Sequence, residues 1–403
     1  MNILLTGHNG YIGSILLIKL LGEGHNVIGF DNDYFSDCKL FDPTAKIKYI
    51  NKDIRNINPK DLYGIDAVIH LAALSNDPLG ELNANLTNEI NYKSSIKLAK
   101  AAKEAGVTRF LFSSSCSIYG QADNNSMVNE NSPLNPLTEY AKSKVKTEEG
   151  LSLLADNNFS PVYLRNATAY GLSPRLRTDV VVNNLTCWAY TTGKIKLMSD
   201  GTSWRPLVHV DDISNTFCEL LKSPINDIHN HAFNVGKNNQ NYTVKQIANI
   251  VTNCVSDSKI EYSSSATTDE RTYRVDFSKI SSTLPNLKHN WTVEKGVNQL
   301  IKAFIKFGMT EKEFYSSAAK FNEEYRGRKG ISTGPAELSE EKCKELQKLA
   351  KRAYKALGLS GYARMDLRVN EEGKAYILEA NPNPDISEFD DFSNVGNRII
   401  YLD

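Results

Sequence analysis

Apolar runs of strand length alternate with segments of helical periodicity through the first half of the chain. Strand-type runs occupy Asn2–Thr6, Asn26–Phe30, Ala67–Leu71 and Arg109–Ser113, and helical patterns cover Gly13–Gly22 and Ile90–Ala105. Such alternation predicts a parallel sheet wrapped by helices. Ile3-Leu4-Leu5, Val27-Ile28, Val68-Ile69 and Phe110-Leu111-Phe112 are wholly apolar, as strands are when both faces of a sheet are covered. The expectation is a doubly wound α/β core over residues 1–168.

From about Ala169 the texture changes to loops rich in Pro, Arg, Asn and Trp, with shorter elements that end in a helical stretch at Val293–Phe307. This predicts a smaller α/β substrate lobe over residues 169–315. A charged helical segment, Ser339–Ala356, then leads to GLSGYARMDLRV, the turn residues NEEG, and KAYILEANPNPD. That pattern predicts an appended α+β unit over residues 316–403.

Several domains fit a length of 403 residues. Lys plus Arg and Asp plus Glu each total 47, so no global field favours nucleic acid or an acidic membrane, and any anion site must be local. Six scattered cysteines without ligand spacing read as reduced thiols of a cytoplasmic protein rather than a disulfide framework or a zinc site. The chain opens directly on its first strand, and no apolar run reaches the length of a membrane span.

Gly7-x-x-Gly10-x-x-Gly13 lies between a buried-type strand and a helix. Missing β-carbons there let the turn tighten and the backbone approach a pyrophosphate at the helix N-terminus. Asp31, at the end of the second strand, can accept both hydroxyls of an adenine ribose and repel a 2′-phosphate, which favours NAD over NADP. A solvated loop acid is the plainer alternative for Asp31, with Asp33 beside it. Asp53 could bond the adenine amino group or be an exposed turn residue.

Tyr140 and Lys144 fall four apart in a segment of good helix formers, and so share one helix face. A lysine ammonium beside a phenol lowers the phenol's pKa and turns it into a usable proton acceptor. Taken alone, that spacing occurs on many solvated helices. Ser115 leaves a strand at the carboxyl edge of the sheet, where open α/β folds place ligands.

With these motifs in order, the first 315 or so residues resemble extended short-chain dehydrogenases/reductases, especially nucleotide-sugar epimerases and dehydratases. TGHNGYIG resembles their cofactor turn, HLAALS their fourth-strand exit, SSSCSIYG their serine segment and YAKSK their Tyr-x-x-x-Lys; the 25 residues from Ser115 to Tyr140 match UDP-galactose 4-epimerases. The resemblance implies a Rossmann-type core and a catalytic set of Ser115, Tyr140 and Lys144. It implies that NAD is held by Gly7, Gly10, Tyr11, Ile12, Gly13, Asp31, Asp53, Ile54, Leu71, Ala72, Ala73, Ser113, Tyr140 and Lys144. It places the nucleotide-sugar substrate on Ser115, Thr168, Asn184, Arg205 and Arg271, and implies a homodimer.

The family's shared chemistry is removal of a hydroxyl proton by the tyrosine while hydride leaves the same carbon, giving a keto-sugar. Returned hydride gives an epimer; elimination gives a dehydratase product. Dehydratases of the family carry Asp-Glu after the catalytic hydroxyl residue, whereas Cys116 and Ser117 stand here. Epimerisation is therefore preferred, with a nucleotide-sugar dehydrogenase or reductase next and a non-catalytic dinucleotide sensor as the contrasting class. RNATAYG departs from the family's Arg-x-x-Asn-x-Tyr-Gly by placing Thr168 where that Asn stands, with Asn166 two residues early.

In the C-terminal segment, a four-residue NEEG loop would set Leu367 opposite Tyr376, Met365 opposite Leu378 and Arg364 opposite Glu379, with Asp366 diagonal to Glu379 and Asn381 further along. Two carboxylates and an amide oxygen suit magnesium. GYARMDLRVNEEGKAYILEANPNPD resembles the end of ATP-grasp ligases of the D-alanine–D-alanine ligase group, which implies magnesium at Asp366, Glu379 and Asn381, and ATP. The family's preceding lobe, with its ATP-binding lysines, is missing. The segment is thus expected to be a retained fragment that packs on the first domain, aids oligomerisation or meets another chain, rather than an independent ligase.

Overall fold

The computed structural model describes residues 1–35, 39–42, 47–75, 80–81, 83–121, 127–267, 272–309, 339–357, 364–369 and 375–381. Seven strands form one parallel sheet: β1 (Asn2–Thr6), β2 (Asn26–Asp31), β3 (Tyr49–Asn51), β4 (Ala67–His70), β5 (Arg109–Ser115), β6 (Ser160–Asn166) and, late in the chain, β10 (Ala232–Val235). Their order is β10-β6-β5-β4-β1-β2-β3. The chain moves outward from β1 through β2 to β3 and returns to β4 on the other side. The crevice beyond the carboxyl ends of β1 and β4 is therefore the switch point where such sheets bind ligands.

Alternation along each strand feeds two cores. Ile3 and Leu5 join Leu16, Leu17 and Leu20 of α1 (Gly13–Gly22) and Phe217 and Leu221 of α5 (Val210–Lys222) on one face. Leu4, Val68 and Phe110 join Leu98 and Ala102 of α2 (Ser94–Glu104) and Leu151 of α3 (Glu139–Ser152) on the other. Ile3, Leu4, Leu5, Val68, Ile69, Phe110 and Leu111 are fully buried, as their unbroken apolar character required.

The single helix expected over Ile90–Ala105 is in fact two elements. Asn88–Lys93 forms a π-turn, and α2 begins at Ser94. The wide turn frees the Asn91 carbonyl, which accepts from Ser95 Oγ at 2.5 Å and Thr147 Oγ1 at 3.2 Å. Asn91's amide meanwhile grips Leu74, accepting from its N–H at 2.8 Å and donating to its carbonyl at 3.0 Å. Side-chain needs, not helical periodicity, decided that segment.

Smaller elements follow: β7 (Thr168–Tyr170), α4 (Val181–Thr192), β8 (Lys194–Ser199), β9 (Trp204–His209), β11 (Asn241–Thr243), α6 (Val244–Cys254), β12 (Lys259–Thr267) and α7 (Val293–Phe307). β9 runs parallel to β7 and antiparallel to β11. Met1–Asp77 and Thr87–Phe314 form one compact unit, and Pro78–Leu86 with Tyr315–Asp403 form a second. Described within the second are α8 (Glu340–Ala356), capped by Ser339, and an antiparallel hairpin of β13 (Arg364–Val369) and β14 (Ala375–Asn381). No described helix is long and apolar enough to cross a membrane.

The catalytic-type helix α3 is locked to the sheet by a buried ion pair. Arg165 on β6 meets Glu148 with Nη2–Oε2 at 2.7 Å, and both side chains are 8% exposed. Ser114 on β5 donates to the same carboxylate at 2.5 Å. Burial lowers the Arg165 pKa, but Glu148 more than offsets this and holds the guanidinium above its ordinary value. Glu148→Gln leaves that cation without its counter-charge, so unfolding free energy should fall by about 3–5 kcal/mol in chemical denaturation. The double replacement Glu148→Met with Arg165→Met should recover most of the loss.

Candidate active site

At the end of β1 the backbone turns through Gly7 at φ 71°. A β-carbon on Gly7 would stand 2.9 Å from Ala72 N, and one on Gly13 only 2.1 Å from Gly7 O. The glycines thus let the β4 exit, Leu71 and Ala72, and the start of α1 close on one another. α1 starts without a side-chain cap, and its Ser14 and Ile15 N–H groups donate to Gly10 O at 3.1 Å and Ile12 O at 3.2 Å, so what the helix start offers an anion is its positive dipole end and the close approach the glycines allow. The expected residues Tyr11, Ile12, Leu71, Ala72 and Ala73 lie around this turn. This cradle fits a dinucleotide pyrophosphate.

The cradle is held by a relay that sequence reasoning missed. Ser95 Oγ donates to Asn91 O, so it accepts from His70 Nε2 at 2.7 Å; His70 Nδ1 then accepts from Thr6 Oγ1 at 2.7 Å. Thr6 Oγ1 in turn accepts from the N–H groups of Leu71 and Ala72, each at 3.2 Å. Burial, assisted by Lys144, pushes the His70 pKa down to about 3, so the ring stays neutral as this pattern requires. The histidine of HLAALS was the available signal.

Asp31 ends β2 and accepts from Asn9 N at 3.1 Å and Asp33 N at 3.2 Å. Asp33 takes the left-handed conformation, φ 53°, and accepts from Asn9 Nδ2 at 2.5 Å. The two acids are therefore fixed together beside the glycine turn, where a ribose would lie. Asp53 is engaged otherwise: it caps the short turn at Ile54 and takes Arg55 Nε at 3.0 Å and Nη2 at 2.8 Å on its two oxygens. That pairing lowers its pKa.

Thr138 caps α3, accepting from Ala141 N at 3.2 Å, and so places Tyr140 in the first turn. Lys144 follows one turn later, buried, with Nζ donating to Ser113 O at 2.6 Å and standing 5.5 Å from the Tyr140 ring centroid. Burial pushes the Lys144 pKa down to about 7, opposed by Glu148 one turn further on. Ser115 closes β5, and its Oγ accepts from Ser117 N at 3.1 Å, which leaves its hydrogen to donate elsewhere. Asn166 pairs with Ser115 across β5 and β6 and donates to Ser113 Oγ at 3.0 Å. The structure thus brings Ser113, Ser115, Tyr140 and Lys144 to one sheet edge.

Cys116 does not face that edge. Its thiol is buried and donates to Arg165 O at 3.0 Å, and burial raises its pKa well above the ordinary thiol value. Thr168 opens β7 opposite Leu207. Asn184 lies in the first turn of α4 and donates to Thr178 O at 2.8 Å. Arg205 lies on β9 opposite Tyr242 and donates to Trp204 O at 2.8 Å. Arg271 lies outside the described residues. Arg177, which sequence reading passed over, pairs with Asp179 at 2.6 Å; burial lowers its pKa, Asp179 more than offsets that, and Tyr140 is close enough to act on it too.

In the hairpin the register differs from the one expected. Leu367 pairs with Ile377, and Arg368 with Tyr376; a shift beyond Leu367 then sets Asp366 opposite Glu379, Met365 opposite Ala380 and Arg364 opposite Asn381. Leu378 is the extra residue of a bulge, which a loop-length rule cannot foresee. The side chains of Asp366, Glu379 and Asn381 lie outside the described residues. Among the described residues no cluster of His, Cys, Asp and Glu could hold a metal ion.

A family model described as NAD dependent epimerase/dehydratase family matches residues 3–236, and one described as D-ala D-ala ligase C-terminus matches residues 298–398. The UDP-glucose 4-epimerase of Bacillus subtilis (strain 168) is 29% identical over 268 residues, covering 59% of this chain and 77% of its own. The UDP-glucuronate 4-epimerase of Thermodesulfobacterium geofontis (strain OPF15) is 27% identical over 338 residues, covering 78% of this chain and 98% of its own. The solved structure of MoeE5 in complex with UDP-glucose and NAD is 26% identical, with a TM-score of 0.66, and covers 77% of this chain and all of that one (100%).

The glycine geometry makes a paired expectation. Gly13→Ala forces a methyl against Gly7 O, and dinucleotide affinity in a fluorescence titration should fall at least about a hundredfold. Gly22→Ala, at a position with nothing within 4 Å, should leave affinity unchanged and stabilise α1 slightly.

Proposed function

Because the chain belongs to the NAD dependent epimerase/dehydratase family, we propose that it is an NAD-dependent epimerase of a nucleotide-linked sugar, acting at C4 of a UDP-hexose. The observation that carries this reading is Lys144 Nζ, buried on Ser113 O and within reach of the Tyr140 ring. The named 4-epimerase relatives support C4 and the UDP group.

When bound, NAD supplies the acceptor that takes hydride from the sugar carbon and returns it. The glycine turn and the N-terminus of α1 would hold its pyrophosphate, and Asp31 its adenine ribose. Tyr140 removes the sugar hydroxyl's proton and later restores it, with Ser115 donating a hydrogen bond to the same oxygen. Lys144 stabilises the phenolate. Thr168, Asn184 and Arg205 would bind the substrate, and Arg271 belongs to that set as a proposal. Inversion requires only that the keto-sugar present its opposite face before hydride returns. Elimination needs an acid and a base after Ser115, and the buried Cys116 thiol supplies neither, which favours epimerisation over dehydration.

For the ligase-like unit the reading is a retained fold fragment. Magnesium and ATP at Asp366, Glu379 and Asn381, and a homodimeric assembly, stand as separate proposals; the strand pairing of Asp366 with Glu379 supports the first.

Nuclear magnetic resonance of UDP-hexoses incubated with the protein and NAD should reveal the C4 epimer, without accumulation of reduced nicotinamide. Tyr140→Phe should keep NAD binding and lose at least about a thousandfold in turnover, the scale of a lost general base. Unchanged turnover in that variant would exclude the mechanism. The Tyr140–Lys144 pair titrates as a unit. Lys144's pKa lies at about 7, below the ordinary lysine value because burial disfavours its charge, so below that pH the pair holds both protons and has no base. The logarithm of kcat/KM should rise with unit slope to about pH 7 and then level.

A further inference from the structure

Tyr11 stands between the second and third glycines, where its backbone belongs to the dinucleotide cradle, yet its side chain points into the substrate half. The ring is buried at 7% exposure. Its hydroxyl donates to Gly171 O at 2.7 Å and accepts from Asn183 Nδ2 at 3.1 Å. Asn183, fully buried in α4, accepts from Gly171 N at 2.9 Å and donates to Arg177 O at 2.8 Å. Ser173 Oγ donates to Tyr11 O at 2.7 Å.

The strand exit held this way cannot shift to compensate. Gly171 sits at φ 107°, and a β-carbon there would be 2.1 Å from His209 Nε2. From the other side Gln299 of α7 accepts from Leu172 N at 3.0 Å, and the same oxygen lies 2.9 Å from His209 Nε2. Residues 171–177 are thus pinned between the dinucleotide turn and α7. Thr168 lies three residues before the pinned stretch, and Asn184 directly follows Asn183.

We propose that Tyr11 is a positioning residue for nucleotide-sugar binding: its hydroxyl fixes Gly171 and Asn183, and through them the segment from Thr168 to Asn184, in register with the dinucleotide turn. This rests on the reading that Thr168 and Asn184 contact the substrate. It separates the two halves of Tyr11: the main chain serves the cofactor and the phenol serves the sugar nucleotide.

Tyr11→Phe keeps the ring and deletes only the hydroxyl. The KM for the UDP-hexose should rise about five- to tenfold, the worth of one buried hydrogen bond, while kcat and the NAD dissociation constant move less than about twofold. Asn183→Ala should raise KM similarly, and the double variant should fall short of the product of the two effects, because both remove the same bond. Amide exchange at Gly171, Leu172 and Ser173 should accelerate in Tyr11→Phe while α1 stays unchanged, a readout that needs no substrate. Unchanged exchange at those amides, or a KM rise matched by an equal rise in the NAD dissociation constant, would overturn the positioning role. Failure of the unsubstituted protein to convert any UDP-hexose would instead count against the functional reading, and the exchange measurement would still decide the role of Tyr11.

Discussion

A buried ion pair anchors the helix that carries Tyr140 and Lys144. Glu148 and Arg165, 2.7 Å apart, join α3 to β6, and Ser114 brings β5 to the same carboxylate. Because Lys144 precedes Glu148 by one helical turn, fixing Glu148 fixes Lys144 over the end of β5, where Ser113 O receives its ammonium hydrogen. Glu148 also moderates the desolvation of Lys144. Without a carboxylate at that position, burial would push the Lys144 pKa lower still. Arg165 Nη1 donates to Tyr119 Oη and Glu130 O, each at 3.1 Å, so the pair's desolvation is offset by a connected polar network.

Local patterns carried the sequence reading a long way. Asn2–Thr6, Gly13–Gly22 and Val293–Phe307 are elements with the bounds their periodicity implied, because apolar spacing and the glycine-rich turn are properties of contiguous residues. The lysine and tyrosine could be paired for the same reason. What stayed illegible depends on partners far apart in the chain. Thr6, His70 and Ser95 meet only when the sheet is built, and Asn91's demand for Leu74 opens a π-turn where periodicity promises a plain helix. Asp53 reads as either an adenine contact or an exposed turn residue, and its pairing with Arg55 on both oxygens is a contact that its sequence position did not announce. In the hairpin, Leu367 already pairs one residue past the expected Tyr376, and the bulge at Leu378 adds a second shift beyond it.

On the proposed reading, the glycine cradle at the sheet's switch point would hold the dinucleotide while Ser115, Tyr140 and Lys144 handle the hydroxyl proton of the carbon that gives up and regains hydride. The side chains that follow Ser115 set the limit of that chemistry. A thiol turned into the core and bonded to Arg165 O cannot expel water from a neighbouring carbon. Family membership and the buried lysine thus point to the same reversible step, and the fragment resembling the D-ala D-ala ligase C-terminus is an addition to it.

Transient oxidation at C4 requires that hydride leave and return to a single sugar carbon without exchanging with water. UDP-glucose bearing deuterium at C4, incubated with the protein and NAD, should yield UDP-galactose that keeps its deuterium at C4, with no carbon-bound deuterium gained when the reaction is run on unlabelled substrate in heavy water. Loss of the C4 label, or solvent deuterium appearing beside that carbon in a 4-keto-6-deoxy product, would contradict the account.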